Sequence, residues 1–188
     1  MAGRLIYLIG PSGSGKDSLL EAVREPFAAR DGRIARRVIT RSAEATGEAA
    51  QAVSVEQFEQ MQAQGEFALS WFANGLHYGI PQAIDQWLAE GHDVLVNGSR
   101  GHLPQALERY RDLLVVLLEV DQAILRRRLL ARGREPIEEI DARLARNAQF
   151  SAQLQAREAH VVLLDNSGEL TATVTSLIQH IDRERICA

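Results

Sequence analysis

The chain has 188 residues, 46% hydrophobic and 24% charged, the balance of a soluble globular protein with enough length to bury the core of one domain. A net charge of −4 provides no overall basic field for nucleic acid or an anionic membrane, so no nucleic-acid or membrane partner is expected. The single cysteine, Cys187, excludes an internal disulfide or a cysteine metal cluster, and there is no run of about 18 apolar residues to span a bilayer.

From the N-terminus, Arg4-Leu-Ile-Tyr-Leu-Ile9 is an apolar run suited to a buried strand, entered without a signal-peptide pattern, and a cytoplasmic location is expected. Asp17 to Arg24 has the pattern of an amphipathic helix. Between them lie Gly10, Pro11, Ser12, Gly13, Ser14, Gly15 and Lys16, with the spacing GxxxxGK. A glycine-rich loop between a strand and a helix is the context in which that spacing makes a phosphate cradle. Backbone N–H groups turn inward on phosphate oxygens, and the helix N-terminus adds partial positive charge. Lys16, the one lysine among the 21 Lys and Arg residues, supplies a compact charge for the β- and γ-phosphates of a nucleoside triphosphate.

The residue after such a lysine is ordinarily Ser or Thr, whose hydroxyl ligates Mg²⁺; here it is Asp17, followed by Ser18. One step along a helix turns a side chain by about 100°, which makes Ser18 a poor geometric replacement. The Asp17 carboxylate is a hard oxygen ligand able to hold Mg²⁺ directly or through water; it also suits a helix's first turn electrostatically. Gly10 through Ser18 are the expected nucleotide-binding residues and Asp17 the expected metal ligand, with Glu119 or Asp121 as rivals for the metal.

Arg36 to Thr40 reads as a short strand opening into a polar loop. Ser54-Val-Glu-Gln57 is a capping-box pattern and predicts a helix from about Val55 to Gln64. Phe67 to Ala73 and Leu76 to Tyr78 form a hairpin around Asn74-Gly75, and Pro81 is expected to begin a helix that stops at Gly91. Asp93 to Asn97 and Leu113 to Leu118 suit central parallel strands, with a helix from Leu103 to about Arg109 between them. Asp121 caps a further helix reaching Leu130, Pro136 starts another, Val161 to Leu164 is the last strand, and a helix runs from about Glu169 to Arg185. Strands alternating with helices, without repeat or linker, predict one α/β domain over residues 1–188 with a parallel sheet flanked by helices.

Taken together, GPSGSGK, Val38-Ile-Thr-Arg41 with Gly47-Glu48, Gly65-Glu-Phe67 with Tyr78-Gly79, and Leu129-Leu-Ala-Arg-Gly-Arg134 with Arg143-Leu144 resemble the guanylate kinase branch of the P-loop kinases over nearly the whole chain. The resemblance implies a P-loop kinase fold using ATP and Mg²⁺, with an acceptor-binding subregion over about 36–80 and an Arg-containing lid over about 131–140. It puts Arg41 on the acceptor, Lys16, Arg132 and Arg143 on the transferred group, and Asn166 near adenine, where a helix-entry cap is the rival role. Phosphate transfer needs further cations, for which Arg100 on the acceptor and Arg134 and Arg146 on the transferred group are candidates, while Tyr78 either hydrogen-bonds an acceptor phosphate or packs the hairpin.

Guanylate kinases read guanine with carboxylates, and those positions fall here at Leu69 and at Val96 or Gly98. A site that hydrogen-bonds a base loses that recognition when its acceptors are removed, so guanylate is not the expected acceptor. Ala68-Leu-Ser-Trp71, Gly75-Leu-His-Tyr-Gly-Ile-Pro81 and Val96-Asn-Gly-Ser-Arg100 resemble instead the ribose 1,5-bisphosphate phosphokinases, which make phosphoribosyl diphosphate (PRPP) in phosphonate catabolism. A nucleoside monophosphate kinase with another base preference and a non-catalytic guanylate-kinase-like module are the alternatives; the intact loop and Lys16 argue against the module. The nucleophile of such a reaction is a phosphate oxygen already ionised at neutral pH, so arginines that align and neutralise charge are needed and a general base is not. Arg126 to Arg128 read as a solvated helix face, and the five histidines lack metal-ligand spacing.

Overall fold

A computed structural model describes residues 3–40, 50–133, 136–157 and 161–186. The chain divides into two compact units, unit 1 comprising Met1–Tyr7 and Arg24–Leu113 and unit 2 comprising Leu8–Val23 and Leu114–Ala188. The division falls inside the first strand, β1 (Leu5–Ile9), whose five residues are all buried. A continuous apolar run of this kind suits a strand covered on both faces.

In unit 1, β2 (Arg33–Ile34) pairs in parallel with β7 (Val94–Asn97). A second, four-stranded sheet has the order β4-β3-β6-β5, built from β3 (Val38–Ile39), β4 (Gln51–Ala52), β5 (Phe67–Ala73) and β6 (Leu76–Pro81). The hairpin β5–β6 turns at Asn74 (φ 51°) and Gly75 (φ 75°), the left-handed pair that a two-residue turn requires. Helix α2 (Val55–Ala63) starts on the expected capping box, with Ser54 Oγ accepting from Gln57 N–H at 3.1 Å and Gln57 Oε1 accepting from Ser54 N–H at 2.9 Å. Helices α3 (Ala83–Ala89) and α4 (Leu103–Arg109) complete the unit.

Unit 2 contains the phosphate loop, the start of α1 (Lys16–Ala28), β8 (Leu114–Glu119), α5 (Gln122–Arg132), α6 (Ile137–Arg157), β9 (Val161–Asp165) and α7 (Leu170–Ile186). β8 and β9 run in parallel, and the main sheet has the order β2-β7-β1-β8-β9. Asp121 caps α5, its Oδ1 accepting from Ala123 N–H at 2.9 Å and Ile124 N–H at 3.2 Å. Among the described residues no helix is long and apolar enough to cross a membrane.

Two expectations need correction. Pro81 does not begin a helix: it ends β6, paired opposite Phe67, and the helix starts at Ala83. Proline's fixed φ suits either role, and the pairing with Phe67 extends the strand past Tyr78. The strand expected over Arg36 to Thr40 is only Val38–Ile39, which pairs antiparallel with β6 and parallel with β4. β2 and β4, two residues each, are too short for any periodicity to mark them.

Candidate active site

Unit 2 contains the glycine-rich loop and Lys16, the residues expected to hold the nucleotide. Gly13 and Gly15 both have φ +90°, a conformation L side chains rarely adopt, and it turns successive N–H groups of the loop. Lys16 Nζ donates to the carbonyls of Gly10 at 2.9 Å and Pro11 at 3.0 Å, which folds the lysine back over its own loop. The Ser14 hydroxyl is fully buried and has no hydrogen-bond partner among the described residues. A buried hydroxyl without a partner is costly unless a ligand supplies one. Left-handed glycines, a lysine held at the loop and this hydroxyl fit a bound triphosphate.

Asn166, 4% exposed, sits at the end of β9 and braces the loop from behind. Its Nδ2 donates to Ser14 O at 2.7 Å, and its Oδ1 accepts from Thr173 Oγ1 at 3.0 Å. A Cβ on Gly15 would approach Asn166 Nδ2 to 2.6 Å, so glycine is required there by the brace as well as by φ. The Asn166 carbonyl in turn accepts from Arg128 at 3.1 Å, which makes Arg128 part of this support and not the solvated residue expected from the sequence. Arg127 is the exposed member of the run, and half-buried Arg126 pairs with exposed Asp141 at 2.8 Å.

Asp17 is exposed in the first turn of α1, beside Ser18, which is also exposed. A carboxylate oxygen there has the hard-ligand chemistry Mg²⁺ takes. The rival Asp121 already commits Oδ1 to the α5 cap, and Glu119 ends β8 opposite Asp165. Arg132 is exposed at the last turn of α5, Arg143 is half-buried on α6 and Arg146 is exposed on the same helix. Arg134 lies outside the described residues, as does Arg41.

Unit 1 contains Tyr78 and Arg100, two of the residues expected to hold the acceptor. Tyr78 and Trp71 are paired across the hairpin with rings stacked at 5.5 Å, and Trp71 also stacks on His102 at 5.4 Å. Burial lowers the His102 pKa, so the imidazole in this stack favours its neutral form. Leu69 and Val96, the positions that would carry base-reading carboxylates, are 5% and 0% exposed. Gly98 has no room for an acid: a Cβ would come within 2.4 Å of the Tyr7 ring. Tyr7 fills that space with its hydroxyl at Ser99, accepting from Ser99 N–H at 2.9 Å and donating to Ser99 O at 3.2 Å. Burial pushes the Tyr7 phenol up to about 12, against the opposing effects of the Ser99 hydrogen bond and the Arg37 charge. Ser99 precedes the turn Arg100–His102, which places half-buried Arg100. Arg37 was not singled out from the sequence; its guanidinium lies 4.9 Å from the Tyr78 ring centroid and donates to Asn97 O at 3.3 Å. Its only signal was that it precedes a short strand leading to Arg41.

A guanylate kinase from Anaplasma phagocytophilum superposes with a TM-score of 0.70 at 20% identity, covering 97% of this chain and 86% of that one. A gluconokinase from Sinorhizobium meliloti 1021 superposes with a TM-score of 0.50 at 19% identity, covering 97% and 93%. The fold and its phosphate loop are those of a P-loop kinase. No protein-family model matches the chain. A Pseudomonas fluorescens protein named ribose 1,5-bisphosphate phosphokinase PhnN is 68% identical, over 97% of this chain and 96% of its own. Proteins of the same name from Pseudomonas paraeruginosa and Azotobacter vinelandii are 64% and 60% identical over the full length of both chains. The chain belongs to the ribose 1,5-bisphosphate phosphokinase PhnN family.

Proposed function

We propose that the protein transfers the γ-phosphoryl group of ATP to the 1-phosphate of ribose 1,5-bisphosphate, giving PRPP and ADP, as a cytoplasmic step of phosphonate catabolism. The observation that carries the acceptor is the pair of buried apolar residues, Leu69 and Val96, at positions where the guanylate kinase pattern has carboxylates. A base would find no acceptor from either side chain there, whereas a sugar phosphate needs none.

An oxygen of the 1-phosphate forms the new bond to the γ-phosphorus, and the bond from that phosphorus to the β–γ bridging oxygen breaks, leaving its electrons on ADP. The attacking oxygen carries no proton to remove, so the residues act by holding and neutralising. Gly10 to Gly15 present backbone N–H groups, the Ser14 hydroxyl donates to phosphate, and Lys16 exchanges its loop carbonyls for phosphate oxygens. Asp17 would hold Mg²⁺, which when bound neutralises charge on the β- and γ-phosphates. Arg132 and Arg143, with Arg134 and Arg146 in support, balance charge on the transferred group, the stretch 131–140 serving as a lid. Arg41, Tyr78 and Arg100, within or beside the 36–80 subregion, hold the acceptor. Asn166 serves the nucleotide by fixing the loop that binds it.

The test is ADP release with ATP and Mg²⁺ against ribose 1,5-bisphosphate, GMP, AMP and ribose 5-phosphate, with PRPP identified as product. Turnover of the bisphosphate with GMP at least about a thousandfold poorer in kcat/KM is the expected result, given the discrimination hydrogen-bonding sites achieve. Comparable kcat/KM for GMP would overturn the reading in favour of a nucleoside monophosphate kinase.

A further inference from the structure

Between its two phosphates, ribose 1,5-bisphosphate carries hydroxyls on C2 and C3 of the ring, and a site that selects this sugar has them to read. We propose that Trp71 and His102 bind the ribose of the acceptor by hydrogen bonds to these hydroxyls, an inference that rests on ribose 1,5-bisphosphate being the acceptor.

Trp71 of β5 stands opposite Tyr78 of β6 in the hairpin with rings stacked at 5.5 Å, and His102 stacks on Trp71 at 5.4 Å. Stacking occupies the faces of aromatic rings and leaves their in-plane polar atoms at the edge. Among the described residues, Trp71 Nε1, both His102 ring nitrogens and the Tyr78 hydroxyl have no hydrogen-bond partner. All three residues are half-buried, and none of these atoms is closed off from solvent. One stack of unit 1 thus holds several unused donors and acceptors.

The stack is also fixed. His102 N–H donates to Ser99 O at 3.2 Å, and Ser99 is itself held at its N–H and its carbonyl by the buried Tyr7 hydroxyl. His102 is therefore restrained at its backbone and on its ring face, and open only at its edge. A side chain held in this way loses little freedom on binding a ligand. Space is open beside it, since a Cβ on Gly101 would meet only Ser99 Oγ, at 3.9 Å. Tyr78 is one ring away from Trp71 and Arg100 two residues before His102, so the pair stands among residues proposed to hold the acceptor.

A hydroxyl is the ligand group that fits this set. Burial, with no charged group contributing, favours the neutral imidazole, which offers one N–H and one lone pair, and the indole adds an N–H. A hydroxyl both donates and accepts. A phosphate dianion only accepts and would leave the imidazole lone pair unmatched.

The experiment compares kcat/KM for ribose 1,5-bisphosphate and its 2-deoxy and 3-deoxy analogues in wild type and in His102→Phe, which keeps a ring against Trp71 and lacks the nitrogens. Wild type should prefer the parent sugar over at least one analogue by about tenfold, the scale of one hydrogen bond, and His102→Phe should narrow that preference to within about twofold. His102→Gln, which restores a donor and an acceptor without the ring, should give an intermediate preference. If His102 only packs Trp71, His102→Phe leaves the preference at its wild-type value, which overturns the assignment while the proposed reaction stands. A wild type that turns over all three sugars alike does the same. The ribose of ATP is the other source of such hydroxyls: a change in the ratio of ATP to 2′-deoxy-ATP in His102→Phe, with the acceptor preference intact, overturns the assignment to the acceptor. Should His102→Phe fail to fold or turn over too slowly, calorimetry on wild type with ribose 5-phosphate and its two deoxy analogues decides. Tighter binding of the parent supports the assignment, and equal affinity overturns it. Wild-type enzyme that makes no PRPP from the bisphosphate overturns both readings.

Discussion

The phosphate loop of unit 2 and the hairpin sheet of unit 1 are built for different kinds of recognition. The loop relies on backbone: left-handed Gly13 and Gly15, a lysine returned to loop carbonyls, and the Asn166 amide bracing Ser14 O at 2.7 Å. The hairpin sheet offers side chains: Trp71, Tyr78 and His102 in stacked layers, with Arg37 on the Tyr78 ring. Backbone recognition suits a donor common to many kinases, because only a few geometries satisfy it and most substitutions break them. Side-chain recognition can change its ligand while the fold stays, as the apolar residues at Leu69 and Val96 illustrate. Damage to the loop should therefore lower activity with every acceptor equally, whereas damage to the sheet should alter the ratio between acceptors.

The largest effect is expected from Lys16→Met. Activity should fall at least about a hundredfold with each acceptor, as for loss of one preorganised electrostatic contact, while the thermal melt stays near wild type. Retained activity, or a loss confined to one acceptor, would break the division. Asp17→Asn comes next and should move the Mg²⁺ activation midpoint upward by about tenfold or more, with Asp17→Thr recovering only part of it. An unchanged Mg²⁺ curve in Asp17→Ala would reduce Asp17 to a helix-start residue.

Gly15→Ala sharpens the comparison through stability. The left-handed φ and the 2.6 Å approach to Asn166 Nδ2 should lower the melt by the equivalent of about 1–3 kcal/mol, read by denaturant titration. A shift no larger than that of an exposed-site control would remove the brace. The smallest effect concerns unit 1 and pH. The Tyr7 phenol is raised from 10.0 to about 12, so an unfolded chain loses this proton first as pH rises. Protection is present below pH 10 and declines toward pH 12. Tyr7→Phe, less stable at neutral pH for want of the Ser99 bonds, should show a shallower decline in melting temperature over that range.

How far the sequence could be read follows the same division. The loop spacing, the Ser54 capping box, the Asp121 cap and the Asn74-Gly75 turn each depend on residues within a few positions of one another. Each was found where expected. Pro81 misled because a proline that can start a helix can also end a strand, and only pairing with Phe67 chose. Arg128 misled because an arginine in a run looks solvated until its partner, the Asn166 carbonyl, is known to lie 38 residues further along the chain.

The sequence by itself determined the P-loop and the α/β class, since local spacing and residue chemistry carry both; the absence of base-reading carboxylates came from its resemblance to the guanylate kinases. Only the tertiary structure decided that Asn166 braces the loop, that Tyr7 occupies the space of any side chain at Gly98, and that Arg37 lies on Tyr78 against Asn97 O. Those contacts join residues 152, 91 and 60 positions apart, and no local pattern encodes a partner at such separation: it is set by which strands pair and what their packing leaves room for.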